Sequence, residues 1–173
     1  MTGIELDHDK YSAYLNQHLV AADAGVEAFK AAADTWAGTE WEATFLQLHD
    51  ELNDSHDEVE RLIKDLGYEL SAGRTLMAGV AKAAGRLNPI NFTRNEDGLM
   101  TQMELDALVA AVRAQQMMWE TLLVLGSVDP RLDKAFCQTM IDRCADQRAR
   151  VVRVSTATAV DRFTLNTAER RGE

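Results

Sequence analysis

Leu66-Gly67-Tyr68-Glu69-Leu70-Ser71 and, further along, Asn88-Pro89-Ile90-Asn91-Phe92-Thr93-Arg94-Asn95-Glu96-Asp97-Gly98 bracket a weakly patterned stretch in an otherwise strongly periodic chain. Gly67 stands where helices usually stop, Ser71 can cap a short helix over about 73 to 87, and the run from Asn88 to Asp97 reads as loop. On either side lie two pairs of long amphipathic segments, each pair joined by a very short turn. A connection of this length can run the whole height of a bundle, so that the third long helix can start at the end where the first one started, a crossover topology rather than that of a simple up-down bundle. The layout predicts an all-α four-helix bundle with a long crossover that contains a short extra helix.

The periodicity supports each segment. Tyr11, Leu15, Leu19, Ala22, Val26, Phe29 and Ala33 follow the three-and-four spacing of one helical face, predicting a first helix over roughly 5 to 35. After Trp36-Ala37-Gly38-Thr39-Glu40, a capping box from Thr39 to Glu42 predicts a second helix over about 40 to 66, burying Phe45, Leu48, Leu52, Val59, Leu62 and Leu66. A third helix, about 98 to 125, buries Leu105, Leu108, Val112, Trp119 and Leu122. Asp129 as cap and Pro130 at the first helical position open a fourth, about 130 to 165, with Leu132, Phe136, Met140, Val151 and Val154 inward. Residues 1 to 165 read as one domain, and 166 to 173 as a polar, disordered tail.

The net charge of -10 is unevenly spread: residues 1 to 70 hold 16 acidic and 4 basic side chains, and residues 71 to 173 hold 12 and 14. So acidic a first hairpin argues against nucleic acid as a partner. It could instead face a basic surface, such as the side of the last helix that carries Arg143, Arg150 and Arg153. No segment approaches the apolar length of a membrane span and the start has no cationic leader, which predicts a soluble, cytoplasmic protein without a membrane partner. Cys137 and Cys144 sit on one predicted helix about 10 Å apart, beyond disulfide reach, and read as reduced buried thiols.

Candidate chemistry is sparse. A di-iron bundle draws Glu-x-x-His pairs from two helices, and the one such pair here, Glu5 to His8, lies at the extreme start. The histidines, His8, His18, His49 and His56, all fall in the first hairpin. A turn centred near Ala37 or Gly38 sets His18 level with His56, and Glu27 level with His49; two imidazoles at one level could hold a transition metal with a carboxylate or water. Asp23, Glu27, Glu51, Asp54, Glu104, Asp142 and Asp146 are the carboxylates available to an all-oxygen site. Met100, Met103, Met117, Met118 and Met140 read as a methionine-rich interior of the second hairpin, more filler than metal ligand. A turn centred near Ser127 sets Arg113 level with Asp142 as a structural ion pair, and Trp119 level with Phe136. Gly73, Gly79 and Gly85 match neither phosphate-binding fingerprint.

Tyr14-Leu15-Asn16-Gln17-His18-Leu19, Ala24-Gly25-Val26-Glu27, the segment Glu51 to Gly67, Met103-Glu104-Leu105-Asp106-Ala107-Leu108, Trp119 and Asp129-Pro130-Arg131-Leu132-Asp133 resemble ferritin-like proteins of actinobacteria, over about residues 11 to 155. The resemblance implies a ferritin-like four-helix bundle and, through the wider relationship, a role in iron handling or oxidative stress. It also implies carboxylates where this chain has Ser55 and Arg113, so an inherited metal site is weakened at both positions.

The resulting expectation is a non-catalytic ferritin-like bundle that works through protein contacts, as a homodimer or docked on another protein, with no cofactor. A second reading is a metal-binding or metal-oxidising bundle using iron or manganese at a nonstandard site, with His18, His56, Glu51 and Asp54 as candidate ligands. A third is a carrier of an apolar ligand in the methionine-rich core.

Overall fold

In a computed structural model, residues 5–71 and 98–164 are described. Their regular structure is entirely helical: α1 (His8–Thr35), α2 (Glu42–Asp65), α3 (Gly98–Leu125), α4 (Lys134–Ala157) and the single turn α5 (Ala159–Phe163). None of these helices is long and apolar enough to cross a membrane. The short helix expected over 73 to 87, the loop after it and the polar tail from 166 lie outside the described residues.

The hairpins form because their ends are well punctuated. Asp7 caps α1 by accepting from the Lys10 N–H at 3.1 Å. α2 ends in a Schellman motif: Gly67 adopts φ +78, its N–H reaches the Lys64 carbonyl, and the Tyr68 N–H reaches that of Ile63. Entry to α2 differs from the expected capping box by one residue. Thr39 Oγ1 accepts from the Trp41 N–H at 3.2 Å and the Glu42 carboxylate from the Gly38 N–H at 2.8 Å, so α2 starts at Glu42.

The start of α4 also moves. Its cap is Asp133, which accepts from the Ala135 and Phe136 N–H groups, rather than Asp129. Asp129 is instead a buried anchor: Arg131 grips both its carboxylate oxygens at 2.8 Å and donates to the Leu66 carbonyl at 2.7 Å. This ties the turn between α3 and α4 to the end of α2. The expected continuous helix to 165 breaks at Thr158, in a run where Thr156 and Thr158 hydroxyls bond back to carbonyls of the preceding turn.

α1 packs against α2, α3 against α4, and α1 against α3. The last pair is antiparallel, because Glu104 near the start of α3 meets Thr35 at the end of α1, while Gln115 lines a cavity with His18. α3 therefore begins at the end where α1 finishes, not where it starts. Since α2 has returned to the opposite end, the connection between Ser71 and Gly98 spans the full height, as its length allows.

The core is one apolar cluster in which Leu15, Phe29, Phe45, Leu48, Leu105, Trp119 and Val154 have no solvent exposure. Nearly every inward position expected from periodicity is buried or packs on that cluster, and Trp119 meets Phe136 edge-on at 5.7 Å as expected. Ile63 is a fully buried member that the stripe through Leu62 did not include. The methionine interior is only half realised. Met118 and Met140 are buried, but Met103 and Met117 point outward at 46% and 52% exposure.

Candidate functional site

The candidate ligands from the first hairpin are dispersed by its register. His56 Nε2 meets Asp23 Oδ1 at 2.9 Å and its Nδ1 meets Asp57 at 3.1 Å. Asp23 lies more than one helical turn beyond His18, because the connection between α1 and α2 runs through Thr39 to Trp41 and shifts the pairing past the expected centre. His18 instead sits edge-on to Tyr14 at 4.6 Å and lines a cavity toward α3. Burial holds its imidazole below the usual histidine range. His49 contacts Asp50 rather than Glu27, and Glu27 lines the groove between α1 and α3.

Near the middle of the bundle, Glu51 of α2 pairs with Arg150 of α4 and accepts from Gln147 Nε2 at 3.3 Å. Arg150 also lies 2.9 Å from Asp146, and Arg143 lies 3.9 Å from Asp54. The acidic hairpin thus faces the basic side of the last helix within one molecule. Ser55, fully buried one turn below Glu51, donates its hydroxyl to the Glu51 carbonyl at 2.8 Å.

This layer does not fit a di-iron centre, since a guanidinium already supplies the positive charge beside its carboxylate and its other groups are an amide and a hydroxyl. Among the described residues, no group of three or more His, Cys, Asp or Glu side chains is placed to hold a metal ion. Arg113, expected opposite Asp142, turns along its own helix to Glu120 at 2.6 Å, and Asp142 accepts from Gln138 at 2.9 Å. The intervening α3–α4 interface is apolar there, so both charges stay at the rim.

Two features lie between α1 and α3: a carboxylate that the sequence reading named but did not expect to be buried, and a groove that it did not foresee. The first is Glu104, only 4% exposed, whose carboxyl is pushed up to about 7 by burial against a single opposing contact with the Thr35 hydroxyl.

The second is an alanine-walled depression. A groove of about 460 Å3 runs between Ala24, Ala28 and Ala31 on one side and Ala107 and Ala111 on the other. It shares Ala21, Gly25 and Ala111 with a smaller cavity of about 90 Å3 that reaches inward to Phe29, Leu52 and Gln115. The signal in the sequence was the recurrence of alanine at three- and four-residue spacing, which is easily read as ordinary helix filler.

No known family model, curated protein or solved structure matches the chain.

Proposed function

We propose that this protein is a ferritin-like bundle that acts through protein contacts rather than through a metal centre, and that it assembles as a homodimer across its α1–α3 face. One observation carries the reading. Met103, Ala107, Ala110, Ala114, Met117, Thr121 and Val124 recur at alternating four- and three-residue spacing along α3, and all of them are exposed, Val124 to 72%. That is the seam of a helix with a helical partner, and no described element covers it. Thr121 presents its methyl, its hydroxyl being bonded to the Met117 carbonyl at 2.9 Å.

A second copy is the fitting occupant because the face is self-complementary. Protruding Met103 and Met117 lie beside a groove walled by alanine, so a two-fold axis sets the knobs of each subunit into the groove of the other. The stripe is about 30 Å long by helix rise, and two helices are roughly 20 Å wide, so each subunit would bury on the order of 600 Å2, the low end for a stable dimer. The Glu51–Arg150 layer supports the non-metal side of the reading, and the connectivity supports the ferritin-like one. A link to iron or oxidative stress rests on the resemblance alone.

Light scattering tests the assembly. The wild-type chain should weigh twice its 19.2 kDa, and Ala110→Glu, which places a charge at the centre of an exposed stripe, should weigh 19.2 kDa with unchanged helicity. A monomeric wild type would overturn the reading and make this chain's own residues 72–97 the occupant to test.

A further inference from the structure

The inner cavity between α1, α2 and α3 adjoins the dimer face at Ala114 and at the groove residues Ala21, Gly25 and Ala111, but carries its own chemistry. We propose that it binds a small uncharged molecule with an aliphatic body and one oxygen acceptor, of the ketone or alcohol class, held through Gln115.

Gln115 is the deciding residue. It lines the cavity, is only 8% exposed, and its Nε2 has no hydrogen-bond partner among the described residues. A buried donor left unpaired is expensive, and the terminal torsion of glutamine is soft enough to turn that amide toward an acceptor in the cavity. Water is a poor occupant. A volume of about 90 Å3 would take roughly three molecules at about 30 Å3 each, and each needs two to four polar partners. The walls at Ala22, Phe29 and Leu52 offer none, leaving Gln115 and His18 as the polar groups.

The surroundings also select against charge. No cationic side chain lines the cavity, burial disfavours the charged form of His18, and Glu27 lines the adjoining groove, where it would repel a carboxylate. Gly25 keeps the space open. A Cβ built on it would meet nothing within 4 Å, although alanine would suit the interior of α1 better. Because cavity and groove share Ala21, Gly25 and Ala111, an aliphatic tail longer than the cavity reaches the edge of the groove, where in the proposed dimer it would meet the partner's apolar methionines.

The test is a titration of the full chain with 2-hexanone, hexanoate and n-hexane, following the Gln115 side-chain amide and, in every variant, the Leu52 methyl groups by NMR. We expect saturable binding of 2-hexanone, with the amide shifted. Gly25→Leu and Ala22→Leu, which fill the space from the α1 wall, should each weaken it roughly tenfold or more. Gln115→Leu should weaken 2-hexanone by roughly three- to tenfold, the worth of one neutral hydrogen bond, and leave n-hexane unaffected.

No saturable shift, hexanoate binding as well as 2-hexanone, or undiminished binding in the filled variants would each overturn the proposal. Should Gly25→Leu not fold, Ala22→Leu, which lies outside the dimer seam, decides alone. The site lies within one chain, so monomeric Ala110→Glu should keep its affinity for 2-hexanone. The dimer and the cavity therefore fail separately.

Discussion

Glu104 is a carboxyl with nearly all of its surface removed from water, and its consequence is a pH dependence of definite sign. Its folded pKa of about 7 lies above the ordinary value of 4.5. Between those values the unfolded chain has released the proton that the folded chain keeps, so stability falls as pH rises through that window and levels off above it. Glu104→Gln removes the titration. Its melting temperature should match wild type at pH 5 and exceed it at pH 8, by a stability difference on the order of 2 kcal/mol. Equal differences at both pH values would remove Glu104 from the account. Cys137 and Cys144 are both free and buried, and burial pushes the Cys144 thiol up to about 12. Neither should react with a thiol reagent at pH 8 until denaturant is added.

Composition made the cysteines' burial legible in advance. The histidine pairing was not, because a shift of about one turn in hairpin register exchanges His18 for Asp23 opposite His56, and a tight connection does not fix register that finely.

Among the helices, two glycines make the strongest contrast. Gly67 sits at φ +78 in the Schellman turn that ends α2, where a side chain is strained whatever the space, so Gly67→Ala should lose about 1 kcal/mol. Gly25 lies inside α1 with open space around its missing Cβ, so Gly25→Ala should gain roughly 0.5 to 1 kcal/mol. Chemical denaturation of the two variants checks both signs, and a loss at Gly25 would mean that the open space is closed in solution.

Helix existence and the inward stripes followed from periodicity, since burial of one face is what makes these segments helical. Ends were less legible. Asp129 and Asp133 both qualify as caps by type, and what separates them is Arg131, which draws Asp129 into a tertiary clamp on the end of α2.

At the scale of the whole molecule, chain length and two short turns gave two hairpins and a connection long enough to cross the bundle, but not the direction of α3, which runs antiparallel to α1 where a parallel start was expected. The division of Met103 and Met117 from Met118 and Met140 does not, because methionine is at home both in cores and on contact surfaces. Only the packed structure shows that two of them stand on an alanine-lined face that no described element covers.

That division also provides the most direct measurement. Brief peroxide oxidation, read per residue by mass spectrometry, compares the four methionines in the wild type and in Ala110→Glu. The account predicts that Met103 and Met117 oxidise as slowly as Met118 and Met140 in the wild type, and many times faster once Ala110→Glu has separated the subunits. Rapid oxidation of Met103 and Met117 in the wild type, or protection that persists in the monomeric variant, would contradict it.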